Sequence, residues 1–124
     1  MTTQLTTTPI SAVPGPLFTP LQLGTSFSTL LTVAASHCRK VEEITLTNVA
    51  KTAGVTVTLC FVEDGGSAGD SNTYLGAFPI PSDGQPWPLP LSEEGKKLGA
   101  GMTIQAKASA AASITIMGSG IDYS

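Results

Sequence analysis

Between Val41 and Val62 the chain reads VEEITLTNVAKTAGVTVTLCFV, two runs of alternating apolar and polar residues separated by a short Ala/Lys/Thr/Gly segment. A period of two in β-branched residues marks a strand with one buried face. In the second run Val55, Val57, Leu59 and Phe61 share a face, with Thr56, Thr58 and Cys60 opposite. In the first, Ile44, Leu46 and Asn48 share a face, with Glu43, Thr45 and Thr47 opposite. The spacing predicts an antiparallel hairpin with Ile44 across from Leu59, Leu46 across from Val57, Asn48 across from Val55, and Ala50, Lys51, Thr52 and Ala53 as the turn. A slip by one residue sets Ile44 beside Cys60 and breaks the apolar match, which specifies the register. The hairpin has an apolar face that needs a cover. Its outer face, with Thr45, Thr47, Thr56 and Thr58, carries no charge at its centre and suits a partner subunit better than a substrate.

The rest of the chain continues the β signal. Leu21–Ala35 has strand spacing around Phe27, Leu30, Leu31 and Val33. EDGGSAGDSN (63–72) reads as a loop, and TYLGAFPI (73–80) as a strand in which Gly76 marks a bulge or a close approach and Pro79 an edge or an end. In PWPLPL (86–91) the prolines forbid a central strand, while Trp87, Leu89 and Leu91 share one face, which places the segment along an edge or over the core. Ser92, Glu93 and Glu94 suit one helical turn, cut short by Gly95. Met102–Ala108 and Ser113–Gly118 alternate again and predict a second hairpin, turned at Ser109–Ala112. About seven short strands at this spacing, with no amphipathic helix, add up to a single antiparallel β-sandwich, immunoglobulin-like or jelly-roll-like.

The first 38 residues contain no Asp, Glu, Lys or Arg, and the first 20 contain six Thr and four Pro. Closely spaced prolines exclude a helix and favour an extended chain. With Leu5, Ile10, Val13, Leu17 and Phe18 this stretch is too apolar for an ordinary solvated linker. Residues 1–26 are therefore expected to form an arm that lies on a neighbouring subunit, and residues 27–124 the sandwich. Only 12% of residues are charged, about half the usual share, which fits a domain that hides surface against partners. The net charge of −3 and six scattered basic residues, paired only at Arg39–Lys40 and Lys96–Lys97, argue against nucleic acid as a ligand. No secretory signal is expected from the N-terminus, and no apolar stretch reaches the length of a membrane span.

No constellation commits the chain to chemistry. His37 and Cys38 are adjacent, and neighbours on a strand point to opposite faces, so a nucleophile–base pair is not expected. One His and two Cys fall short of a structural zinc site. By the hairpin's parity Cys38 and Cys60 point to opposite faces, which disfavours a bridge. Glu63, Asp64 and Asp70 lack the ligand spacing of a calcium loop. Glu42 and Glu43, on opposite faces of a strand, are not an acid–base pair. Trp87, Tyr74, Phe78 and Tyr123 form either core or, on the alternative reading, a sugar-binding platform.

EITLTN, VTVTLCFV with its following GGSAG loop, NTYLGAF and MTIQAKASAAASITIMGSGID together resemble small β-sandwich structural proteins of tailed-phage virions. The resemblance covers about Phe27 to Ile121. It departs from them at PWPLPL and at Cys60, where Tyr or Leu is usual. It implies a non-enzymatic virion protein that decorates or stabilises the capsid or the head–tail neck. No catalytic residue, cofactor or metal is implied. The implied partners are other copies of the chain, with a trimer expected, and virion proteins such as the major capsid or neck proteins, not nucleic acid or membrane. The alternative is a glycan- or receptor-binding module of a fibre. The residues expected to make assembly contacts are Leu5, Ile10, Val13, Leu17 and Phe18 of the arm and Thr45, Thr47, Thr56 and Thr58 of the outer face.

Overall fold

The structure, a computed structural model, describes residues 11–91 and 95–124. Its strands in chain order are β1 Ala12–Pro16, β2 Leu21–Gln22, β3 Ser28–Thr32, β4 Cys38–Asn48, β5 Thr56–Val62, β6 Thr73–Pro79, β7 Trp87–Pro88, β8 Lys96–Leu98, β9 Thr103–Ala108 and β10 Ile114–Tyr123. They form two antiparallel sheets, so the predicted β-sandwich is the observed architecture. In the first sheet β4 and β10 are central, paired from Asn48↔Ile114 to Cys38↔Tyr123. β1 and β2 line the outer edge of β10, and β7 and β8 that of β4. The second sheet runs β3-β9-β5-β6. Taking β1 with β2 and β7 with β8 as two interrupted edges, the chain changes sheet at every connection except β5 to β6. That alternation is a jelly roll.

Neither predicted hairpin forms. β4 pairs with β10, and β5 pairs with β9 and β6, so Ile44 and Leu59 enter the one core from different sheets and are not ladder neighbours. Likewise β9 and β10 lie in different sheets. Alternation shows only that two strands share an apolar side. Facing one another across a core satisfies that condition as well as lying side by side does. Both connections are arches from one sheet to the other.

The first arch is held by Asn48, which is fully buried. Its Nδ2 donates to the Thr52 carbonyl at 2.8 Å, and its Oδ1 accepts the Thr52 N–H at 3.4 Å. Lys51 and Gly54 take left-handed conformations there, at φ 56° and 83°. The two arches also bind each other. The Val49 N–H donates to the Ser113 carbonyl at 2.9 Å, the Ser109 N–H to the Thr56 carbonyl at 2.9 Å, and the Thr56 N–H to Ser109 Oγ at 2.9 Å.

The arm boundary also moves. From Ala12 the chain is already an edge of the first sheet, with Ala12 opposite Tyr123 and Pro16 opposite Ser119. Leu17, Phe18 and Leu23 are buried in the chain's own core. Leu17 lies across β10 where the glycines of Gly118-Ser119-Gly120 remove side chains. A Cβ at Gly120 would collide with the Lys40 carbonyl oxygen and touch Leu17. The remaining part of the expected arm, residues 1–10, and the expected helical turn at Ser92, Glu93 and Glu94 lie outside the described residues.

Two bulges explain departures from strict alternation. On β4 the register shifts opposite Ser119 and Gly120, so Glu42 and Glu43 are both exposed and do not take opposite faces, while Val41 stays buried. On β3 a shift at Leu30 lets Leu30 and Leu31 both enter the core. Of the two readings of Gly76, a bulge or a close approach, the structure has a bulge beside it: Ala77 has φ 45°, and its N–H donates to Thr58 Oγ1 at 3.1 Å in place of a ladder partner. Of the two placements open to PWPLPL, edge or core cover, the chain takes the first sheet's edge, with Leu89 buried and its N–H donating to the Ile44 carbonyl at 2.8 Å.

Candidate functional site

The sandwich offers two outer faces. On the first sheet the outward rows are Thr47 with Thr115, Thr45 with Met117, and Glu43 with Ser119, followed beyond the bulge by Lys40 with Ile121 and Cys38 with Tyr123. Pro14 and Pro16 of β1 and Pro88 of β7 extend these rows at either side. Met117 is 44% exposed. A shallow groove of about 430 Å³ runs over this face, lined among others by Pro16, Pro20, Glu43, Thr45, Met117 and Ser119. The centre of the face carries no charge other than Glu43.

The outer face of the second sheet is partly roofed by its own chain. Cys60 and Val62 occupy outward positions of β5, yet both are buried, because the 63–72 loop folds over them. The loop is shaped by polar side chains. The Gly69 N–H donates to Asn72 Oδ1 at 2.9 Å, Asn72 Nδ2 donates to the Ser67 carbonyl at 2.8 Å, and Thr73 Oγ1 donates to the Gly69 carbonyl at 2.8 Å. Asp64 packs against Gly101 in the β8–β9 connection. Among the described residues no group of three His, Cys, Asp or Glu side chains is placed to hold a metal ion, and no helix is long and apolar enough to cross a membrane.

These placements divide the residues that the sequence groups together. Thr45 and Thr47 lie on the outside of the first sheet, and Thr56 and Thr58 on the outside of the second, so the four do not share a surface. Thr58 is already an acceptor for Ala77. Leu17 and Phe18 are covered by their own chain and make no arm contact. Val13 is 58% exposed, and Leu5 and Ile10 lie outside the described residues. The parity argument separating the two cysteines fails with the hairpin. Both are free: Cys38 is exposed on the first sheet, and Cys60 lies under the loop, 3.6 Å from Thr73 Oγ1.

The aromatic residues seal one side of the sandwich. Phe78 and Trp87 stack at 4.7 Å across the gap between the sheet edges, and Tyr74 meets Phe61 edge-on at 5.1 Å. The Tyr74 hydroxyl donates to the Pro90 carbonyl at 2.8 Å. Tyr123 is on the first sheet's outer face and does not join them. The predicted four-residue platform is therefore split, and its three remaining members are engaged with one another and with neighbouring chain.

One cluster has no counterpart in the sequence reading. His37, Arg39 and Asp122 meet at the open end of the sandwich, because β4 and β10 pair Arg39 with Asp122. A carboxylate only accepts, so His37 Nδ1–H donates to it, 3.1 and 3.3 Å from its two oxygens. Arg39 Nε lies 3.1 Å from Oδ1. The His37 hydrogen bond, opposed by partial burial and reinforced by the Arg39 charge, holds the Asp122 carboxyl below the usual carboxylate range. With a sequence separation of 85 between His37 and Asp122, no spacing rule signals the pair. The arrangement ties the C-terminal strand to the β3–β4 connection. Comparison of the chain with protein-family models and with curated proteins finds no match.

Proposed function

We propose that this chain is a non-enzymatic structural protein that associates with copies of itself and with other proteins of a tailed-phage virion, decorating or stabilising the capsid or the head–tail neck. The observation that carries the self-association is the low-charge outer face of the first sheet around Thr45, Thr115, Met117 and Ser119, which the described residues leave without a roof. An interface core is poor in charge and is ringed by polar groups. This face has that make-up, with Lys40 and Lys97 at one end.

The sheet edges favour contact by faces. Pro14, Pro16 and Pro20 interrupt the β1–β2 edge, and Pro86, Pro88 and Pro90 the β7–β8 edge. β3 carries a bulge, and β6 has the left-handed Ala77 and Pro79. Such devices discourage strand addition between chains. The virion setting draws on the likeness of EITLTN, VTVTLCFV and NTYLGAF to such proteins, and on the jelly roll, an architecture used in viral capsids. Residues 1–10, with Leu5 and Ile10, add contacts on the neighbour in this reading. It assigns no catalytic residue and no cofactor.

Light scattering on the full chain tests the proposal. The expected result is a closed oligomer, a trimer by default, that weakens when residues 2–10 are removed. A strict monomer at high concentration overturns it. The exposure of Tyr74 and Phe78, at 42% and 37%, favours the second reading of a glycan- or receptor-binding module. That reading requires Trp87→Ala to abolish binding to a glycan array while the domain stays folded.

A further inference from the structure

The two basic pairs of the sequence, Arg39–Lys40 and Lys96–Lys97, are more than fifty residues apart in the chain but adjacent in space. β8 lies antiparallel to β4, with Val41 opposite Lys96, Lys40 opposite Lys97 and Arg39 opposite Leu98. Four of the chain's six basic residues thus sit on two short strands. They are not equivalent. Arg39 is held by Asp122, and Lys96 turns toward the seam, with its Nζ 5.4 Å from the centre of the Phe61 ring. Lys40 and Lys97 face outward together. Lys40 has only Glu42 at 3.6 Å, and Lys97 has no carboxylate partner among the described residues. Like charges directly opposite each other on neighbouring strands destabilise a sheet.

Between them opens a cleft of about 290 Å³ lined by Cys38, Arg39, Lys40, Lys97 and Tyr123. That is near the lower limit for small-molecule pockets. Its walls are mostly carbon, from the Tyr123 ring and the methylene stems of the cationic residues, and its charged groups are ammonium and guanidinium. We propose that this cleft binds a carboxylate carried on an apolar body, an aromatic or acyl carboxylic acid. The apolar body lies along the Tyr123 wall, and the carboxylate is set between the ammonium groups of Lys40 and Lys97, replacing their repulsion with charge-assisted hydrogen bonds. A single negative charge fits because Glu42 and Asp122 already offset part of the positive charge.

Cys38 provides an internal reporter, since it is exposed in the cleft while Cys60 is buried. Its alkylation is followed with iodoacetate, which is anionic, and iodoacetamide, which is neutral. In each case the thiolate displaces iodide from the reagent's methylene carbon. Any change in thiolate population affects both reagents alike, so the rate ratio isolates recruitment of the anion. The expected ratio is roughly tenfold above that of the urea-unfolded chain, the scale of charge focusing in a cleft. Lys40→Gln with Lys97→Gln returns it to the unfolded value, and Lys107→Gln leaves it unchanged. Benzoate slows alkylation of the wild-type chain, and benzyl alcohol does not. The proposal is overturned by a ratio equal to that of the unfolded chain, by a ratio indifferent to the two lysines, or by equal protection from benzoate and benzyl alcohol. It is also overturned if benzoate protects only after Glu93→Gln and Glu94→Gln, because the chain's own acids would then fill the cleft.

Discussion

The outer faces of the two sheets begin from one sequence pattern and end as different surfaces. Thr45 and Thr47 on β4 mirror Thr56 and Thr58 on β5, each set alternating with core residues. On β5 the outward positions then become apolar, at Cys60 and Val62, and the 63–72 loop is laid over them. On β4 they continue as Glu43 and Lys40, and the described chain provides no roof. One face completes itself with its own loop, and the other is left for something else. The alternation within a strand thus sets which side is inward, while the segment that follows the strand decides whether the outward side meets solvent, chain or partner.

That contrast can be broken by charge. Replacing Thr45 and Met117, which are directly opposite on the first sheet, by Glu is expected to abolish self-association, read as monomer mass by light scattering. Thr56→Glu on the second sheet leaves the mass unchanged. Next in size is the roofed pair. Val62→Ala removes buried methyl groups beneath the loop and costs about 2 kcal/mol in urea denaturation, whereas Thr47→Ala on the open face stays within about 0.5 kcal/mol. Asn72→Ala removes two of the hydrogen bonds that close the loop. At about 1.4 kcal/mol, the scale of such a loss, it raises the rate at which a neutral thiol reagent reaches Cys60 roughly tenfold.

The charged end of the first sheet makes a smaller prediction. Asp122 is held below its ordinary value by His37 and Arg39. A depressed folded-state value means that the carboxylate contributes stability above the unfolded-state value and loses it as pH falls through the lower, folded one. The wild-type chain therefore loses this contribution only below about pH 4, and Asp122→Asn flattens that part of the acid limb. A carbon-detected titration should also show Asp122 moving up toward the ordinary carboxylate value in His37→Ala. Smallest of all, Ala77→Gly relieves a left-handed alanine in the β6 bulge and is expected to add about 0.5–1 kcal/mol.

Much of the fold could be read from local pattern, and its limits are instructive. The strands at Ile44–Asn48, Val57–Phe61, Ile104–Ala108 and Ile114–Ile116, the exclusion of PWPLPL from a central strand and the irregularity at Gly76 all rest on residues within a few positions of one another. The errors share one cause. Alternation is blind to whether two apolar faces lie side by side or front to front, so both arches read as hairpins. The left-handed Lys51 and the buried Asn48 amide that close the first arch leave no mark in hydrophobic periodicity. The same blindness split the four threonines. The prolines of residues 9–20 read as an arm because they forbid helix and central strand, yet an edge strand also tolerates proline, and Leu17 needed the glycines of β10, a hundred residues away, to find its place. The His37–Asp122 pair and the Lys40–Lys97 cleft depend on which strands pair, which only the folded topology reveals.

β10 is the last strand in chain order and the central partner of the first sheet, bound on one side to β4 and on the other to β1 and β2. A ribosome delivers β1, β2 and β4 long before it delivers Ile114–Tyr123. Until that segment emerges, β4 can hold only its short β7 and β8 partners, and β1 has none. Sheet pairings of such long sequence separation must close large loops before they gain contacts, which places folding on the slow side of the range for small domains. The first sheet therefore cannot be completed before Ile114–Tyr123 emerges, and a nascent chain stalled before Ile114 lacks the strand that joins β4 to β1 and β2. In this topology the completion of one sheet waits on the strand made after all its partners.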